Sequence, residues 1–218
     1  MSEAVAFDFS DEEIAVMLDN LDEYTPDEVV EIEKMVDELE NRKANQLAFD
    51  DLIEFCKAMM SDFIVGKHHR ILADMLMAIE AGDKDPAWFL GRNPDKKVMM
   101  VSHTTDLAVD FGRKVRNLIA TEAYRSIFPA VRLASDSKSA GRWNTNVGGE
   151  YYATGVGSAL AGRGADLLLI DDPHSEQDVI NGNFSAFARA YDWYTFGART
   201  RLMPGGRVAI IQTRWHMD

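Results

Sequence analysis

The chain has 218 residues, 46% of them hydrophobic and 27% charged, which is globular usage and excludes a disordered or fibrous protein. Its net charge of −13 is uneven: residues 1–62 hold 19 acids and 4 Lys/Arg, whereas residues 63–218 hold 17 acids and 19 Lys/Arg. The acidity therefore belongs to an N-terminal segment and argues against passive adhesion to nucleic acid, while leaving room for a local basic groove in the remainder. No apolar run approaches the roughly 18 residues of a membrane span, and the acidic start is unlike the basic start of a signal peptide. The single cysteine, Cys56, excludes an internal disulfide, suits a reducing cytoplasm and reads as a small buried hydrophobe in a helical pattern.

The first segment, residues 1–62, is predicted helical. "SDEEIAVML" opens with Ser10 as N-cap and Glu13 three residues on, the capping-box spacing. "TPDEVVEIEKMVDELE" repeats the device with Thr25, Pro26 and Glu28. Val29, Ile32, Met35, Val36 and Leu39 then recur at helical spacing, with acids on the outer face. A third helix is expected over 47–60. The segment reads as a solvated acidic hairpin packed on the main domain, or as an arm for a partner subunit.

"HHRILADMLMAIEAG" predicts a further helix, with Gly82 as its stop. A strand follows at "KKVMMVSH", a helix over 106–120, and a polar, irregular stretch over 133–150. A Gly-rich turn at 155–164 leads into a strand at 166–171. A helix over 184–198, a turn at "MPGG" and a strand at "RVAIIQT" complete the order. Strands alternating with helices imply an α/β fold with a mostly parallel sheet covered on both faces.

Three of these strands end on polar residues: Ser102 and His103, then Asp171 and Asp172, then Gln212, Thr213, Arg214 and His216. Ligands of open α/β sheets collect at the carboxyl ends of strands, so the coincidence points to a site there. Leu167, Leu168, Leu169 and Ile170 form the apolar run of a strand buried on both faces, and Asp171 closes it where a nucleotide hydrolase places a magnesium-binding carboxylate. The phosphate-gripping partner is not found. "GSALAGRG", Gly157 to Gly164, has the glycine separation of G-x-x-x-x-G-K-[ST] but offers Arg163 and Gly164 in place of Lys and Ser/Thr. It also precedes a strand instead of opening a helix. His174 and His216 lack the spacing of a transition-metal site. A two-metal nuclease on Asp171 and Asp172 would need carboxylates on neighbouring strands, where Ser102 and Thr213 supply none. Trp88, Trp143, Trp193 and Trp215 read as core or interface residues.

In order, "PAWFLGRNPDKKVMMVSHTTDLAVDFGRKVRNLI", "YYATGVGSALAGRGADLLLIDDPHS", "DWYTFGARTRLMPGG" and "IIQTRWH" resemble the ATPase domain of tailed-bacteriophage terminase large subunits, the motors that package DNA. The resemblance covers residues 63–218 and rests on the order and spacing of short motifs. It implies a parallel sheet of the P-loop NTPase type. It also implies ATP as substrate, Mg2+ as cofactor, and double-stranded viral DNA, the portal protein and the small terminase subunit as partners. A homo-oligomeric ring when complete, and residence in the cytoplasm of the infected bacterial host with transient docking at the procapsid portal, follow likewise, without membrane attachment.

Residue by residue, the resemblance makes Asp171 the magnesium ligand and puts Asp172 where relatives orient the attacking water, with Glu176 as the longer-reaching alternative. Gln212, Thr213 and Arg214 match the coupling motif that senses the γ-phosphate. His69 and Arg70 match the adenine-contacting position, the bland alternative being that His68 and His69 are helix-start residues. Arg163 would stabilise transition-state charge or touch DNA phosphate, unless it pairs with Asp166 or another surface acid. Between the "HHR" helix and "PAWFLGRNP" the resemblance also leads us to expect a strand and a phosphate loop of about twenty residues. Here Gly82, Asp83, Lys84 and Asp85 run straight into Pro86. A metal-dependent nuclease half is expected after "TRWH" and is likewise missing from the sequence. An internal deletion, an interrupted coding region with the loop on another fragment, and omitted residues all account for the gap. Losing the loop's amides and lysine removes the cradle of the triphosphate, so the chain as written is expected to have little or no ATPase activity. The alternative is a non-catalytic interaction module, or a defective remnant of the motor.

Overall fold

The computed structural model describes residues 10–67, 69–70, 73, 86–137 and 139–213. Both predicted capping boxes form. Ser10 starts α1 (Asp11–Asp19) and Thr25 starts α2 (Pro26–Asp50), and in each the carboxylate of the glutamate three residues on accepts from the cap amide, at 2.7 and 2.8 Å. The carboxylates of Glu13 and Glu28 are held below their ordinary range by these bonds, to the Ser10 backbone first for Glu13 and to the Thr25 hydroxyl first for Glu28.

The predicted third helix is divided differently. Residues 47–50 finish α2, and α3 (Leu52–Met59) starts afresh at Asp51, whose extended backbone and carboxylate cap the amides of Ile53 and Glu54 at 2.8 and 3.1 Å. An aspartate able to cap is what breaks the helical run. The helix predicted from "HHRILADMLMAIEAG" lies mostly outside the described residues, as do Gly82, Asp83, Lys84 and Asp85. Residues 67, 69, 70 and 73 are helical.

The rest is an α/β unit: α4 (Pro86–Arg92), β1 (Lys97–Ser102), α5 (Thr105–Ile119), α6 (Glu122–Ile127), β2 (Arg142–Asn144), β3 (Glu150–Gly155), β4 (Ala165–Asp171), α7 (Glu176–Ile180), α8 (Ser185–Asp192) and β5 (Leu202–Ile211). The five strands lie in the order β2-β3-β1-β4-β5. All neighbours are parallel except β2, which pairs antiparallel with β3. The stretch predicted irregular over 133–150 thus contains β2, and β3 follows it. Neither stands out in sequence, because β2 is three residues long and β3, "EYYATG", has no sustained apolar run. The helix predicted over 184–198 gives way after Asp192 to a π-helical turn, Trp193–Ala198. The turn at "MPGG" lies inside β5, where Gly205 takes φ +79° and the pairing with β4 jumps from Ala165–Leu202 to Leu167–Arg207.

Side chains of alternate residues enter two cores, as the period of two requires. Val98, Met100, Leu167 and Leu169 meet α5 and the helices α2, α3, α4 and α6 on one face. Met99, Val101, Leu168 and Ile170 meet Leu160, Trp193, Tyr194 and Ala198 on the other. Ala48, Leu52, Ile53 and Phe55 belong to the first core, so the end of the acidic segment is built into the α/β unit. Phe55 and Tyr124 pack on Phe128 at 5.9 and 5.0 Å, and the Trp88 indole donates to the Ala48 carbonyl at 3.2 Å. Trp143 stacks on Tyr151 at 4.8 Å. Trp88 and Trp143 are core residues, Trp193 is half-buried, and Trp215 lies outside the described residues. Cys56 is half-buried against the same core. Among the described residues no helix is long and apolar enough to cross a membrane.

Candidate functional site

The registers align the carboxyl ends of the four parallel strands: Gly155 of β3 is level with Ser102 of β1, Ser102 with Asp171 of β4, and Asp171 with Ile211 of β5. Gly155 is required here, since a Cβ would stand 2.7 Å from the Thr105 amide at the start of α5. Ser102 is fully buried, its hydroxyl 3.5 Å from His103 Nδ1.

Asp171 and Asp172 have different tasks because they differ in backbone and direction. Asp171 closes β4 on the α5 side, half-buried in the wall of an apolar trough of about 250 Å3 with Met100, Leu169 and Ile211 below and Phe111 and Lys114 of α5 beside it. Asp172 has left the strand. Its φ of +41° makes it the one non-glycine residue with a positive φ among those described. Its amide donates to the Ile211 carbonyl at 2.9 Å and its carbonyl accepts from the His103 amide at 3.2 Å. Its carboxylate oxygen Oδ1 accepts from the Thr213 amide at 2.7 Å. One residue thereby ties together the exits of β1, β4 and β5. An aspartate tolerates the left-handed conformation because its short side chain bonds locally.

The other sequence-predicted residues are dispersed. Thr213 joins the site through its amide, and Gln212 lies on the opposite side of the sheet from the trough, against α8. Arg214 and His216 lie outside the described residues. Glu176 opens α7 and is exposed. Arg163 stands at the amino end of β4, about 20 Å from Asp171 along a strand rising roughly 3.3 Å per residue. Its guanidinium covers the Tyr152 ring at 3.7 Å and lies 3.8 Å from Glu150, while Lys96 takes Asp166 at 3.6 Å. The surface-acid alternative thus describes Arg163's surroundings, with Glu150 as the acid. The Gly157–Gly164 loop that carries it crosses from β3 to β4 over the second core, anchored by buried Leu160 and by the Trp193 indole donating to the Ser158 carbonyl at 2.9 Å.

His69 and Arg70 sit beside α3. His69 Nδ1 accepts from the Gly66 amide at 3.0 Å and its ring tilts against Phe63 at 5.2 Å. Arg70 pairs with Asp51 at 3.4 Å and approaches Glu54 at 4.0 Å. His68 lies outside the described residues. No protein-family model matches the chain, and no curated protein matches it.

Sequence reasoning missed two features, although Ser175 and Asp178 have the same three-residue spacing as Ser10 and Glu13. Lys114 joins Asp171 on the trough, and its only sequence signal is the helical spacing that places it beside Phe111 and Val115. Asp178 completes a capping box with Ser175 at the start of α7, at 2.8 Å between side chains, and also accepts from Asn183. The Ser175 hydroxyl foremost holds the Asp178 carboxyl below its ordinary range, with the His174 charge adding to the effect.

Proposed function

We propose that this chain is the sheet of a nucleotide-hydrolysing DNA-packaging motor of the terminase large-subunit type, carrying half of a nucleotide site. The observation that supports the reading is Asp171 at the carboxyl end of an internal parallel strand, level with Ser102 and Ile211 and facing a trough with open volume. By the resemblance Mg2+ would be held here by Asp171, among the described residues the one carboxylate on a trough otherwise lined by Lys114 and mainly apolar side chains. The ion binds through one or two carboxylates, keeping its remaining positions for water and substrate phosphates, and Asp171 offers one such carboxylate. When bound, the ion supplies charge neutralisation for the β- and γ-phosphates.

The chain's own residues divide the remaining work. Lys114 adds a cation on the wall opposite the sheet. Asp172 acts as a positioning residue that fixes Thr213 against the strand bearing Asp171, so movement at one exit is felt at the other. That link suits the coupling role the resemblance gives to Gln212, Thr213 and Arg214. It leaves water orientation to another group, such as Glu176. His69, Arg70 and Arg163 have no established place in this half-site. The missing partner is the phosphate loop, without which positioning and electrostatic stabilisation of the triphosphate are lost.

The decisive experiment inserts a strand–phosphate-loop–helix segment ending in Gly-Lys-Ser/Thr between Asp83 and Pro86 and measures phosphate release. The grafted chain should gain Mg2+-dependent ATP turnover that Asp171→Ala abolishes, while the chain as written stays at the blank. A folded graft without turnover would refute the motor reading. Turnover by the unaltered chain would refute the half-site.

A second reading, a non-catalytic interaction module, is favoured by β5. Among the described residues its "RVAII" run pairs with β4 alone, leaving an edge of the kind natural sheets normally cover. It predicts capture of portal protein or small terminase subunit without nucleotide, and failure to retain either counts against it.

A further inference from the structure

The connections of the parallel strands leave on opposite faces. β1 leads through α5 to β3 over the first core, and β4 leads through α7, α8 and the π-helical turn to β5 over the second. The carboxyl ends of β1 and β4 therefore flank a topological switch point, where open α/β sheets leave a ligand crevice. On the face away from Asp171, a depression of about 410 Å3 lies there, among His103 and Thr104 after β1, Gly157 after β3, and Ser175, Asp178 and Arg189. Beside it is an apolar slot of about 110 Å3 walled by Phe187, Tyr191, Trp193, Tyr194 and Ile210, with Gln212 at its margin. Val156, Pro173, His174 and Ala190 line both, so the two are adjacent.

The two ends differ in chemistry. The slot is aromatic, and its Tyr191 is 68% exposed. Gln212 offers both an amide donor and an acceptor to the edge of a planar ring. At the other end Asp178 is committed to Ser175 and Asn183. Arg189 donates only to neutral oxygens, Ser185 Oγ at 2.7 Å and Asn183 Oδ1 at 3.5 Å. Among the described residues Arg189 has no ion pair within 4.0 Å, while the Asp178 carboxylate lines the same depression. His103 stands across the depression. A ligand matching both ends has a flat, hydrogen-bonding heterocycle and an anionic group.

We infer that the slot and the depression together bind a nucleotide unit, with its heterocycle in the slot at Tyr191 and its phosphate at Arg189 and His103. Base–aromatic stacking and arginine–phosphate pairing are the interactions that hold such a unit. The site needs neither Asp171 nor a metal ion, and so goes beyond the ATP site proposed above. A free mononucleotide and one residue of a single strand carry the same chemistry.

The test is calorimetric titration of the full chain with AMP and, in a parallel arm, with a short oligothymidylate, both in EDTA, with tryptophan emission reporting through Trp193. Saturable binding is expected in at least one arm, and which arm responds identifies the source. Tyr191→Ala and Arg189→Ala should each weaken binding about tenfold, Arg189→Lys should restore part of it, and Asp171→Ala should leave it unchanged. Both positions are exposed, and circular dichroism checks that the variants fold. Absence of saturable binding in both arms overturns the proposal. So does binding indifferent to Tyr191 and Arg189, or binding lost in Asp171→Ala. Failure of the grafted chain to hydrolyse ATP bears on the motor reading alone.

Discussion

Asp172 offers the sharpest test of how the strand exits are held. Its carboxylate bond to the Thr213 amide, 2.7 Å long, is a hydrogen bond to a charged group, a class contributing about 1.5–3 kcal/mol. Thr213 is exposed, so water replaces part of the bond when the carboxylate is removed, and the lower end applies. The φ of +41° adds about 1 kcal/mol of strain for a side chain that cannot bond locally. Asp172→Ala should therefore cost about 1.5–2.5 kcal/mol. Asp172→Asn keeps an acceptor and tolerates the backbone, and should cost about 0.5 kcal/mol. Asp172→Gly loses the bond but relieves the strain, and should cost about 1 kcal/mol. Urea unfolding followed by circular dichroism measures the order, wild type above Asn, Gly and then Ala, with an unchanged m-value. Hydrogen exchange at the Thr213 amide should accelerate in the Ala and Gly variants and hardly in Asn. Equal stability of all four proteins, or a Thr213 amide that exchanges freely in the wild type, would refute the reasoning.

Phe55→Ala should cost about 3–5 kcal/mol, because Phe55 is fully buried against Tyr124 and Phe128. The loss should appear in one cooperative transition that includes the sheet. Separate melting of residues 10–59 with the sheet intact would show that they do not share a core. Acidification should release the start of α7. Asp178 is held below its ordinary 3.8, so the stabilisation its ionised form gives is complete above the unfolded value and lost as the pH falls through the folded one. Carboxyl NMR should find Asp178 titrating below 3.8, with the Ser175 amide shifting in step; a value at or above 3.8 removes the capping box as the cause.

"RVAII" has the composition of a strand buried on both sides, yet among the described residues it forms an edge.

What the sequence determined by itself is local. Ser10 with Glu13 and Thr25 with Glu28 fix two helix starts, since capping depends on residues three apart. "KVMMVS" and "ADLLLID" announce buried strands, because parallel strands covered on both faces need unbroken apolar runs. The adjacency of two acids at the end of β4 was equally plain. Their separate fates were not: a backbone turn at Asp172 sends its carboxylate to Thr213, 41 residues away, whereas Asp171 faces the trough. Tertiary structure alone also placed Arg163 at the far end of the sheet and turned residues 150–155 into a strand beside β1. These outcomes depend on which strands become neighbours and which face each connection crosses. Such choices are set by packing between residues far apart in the chain, and no short window of sequence records them.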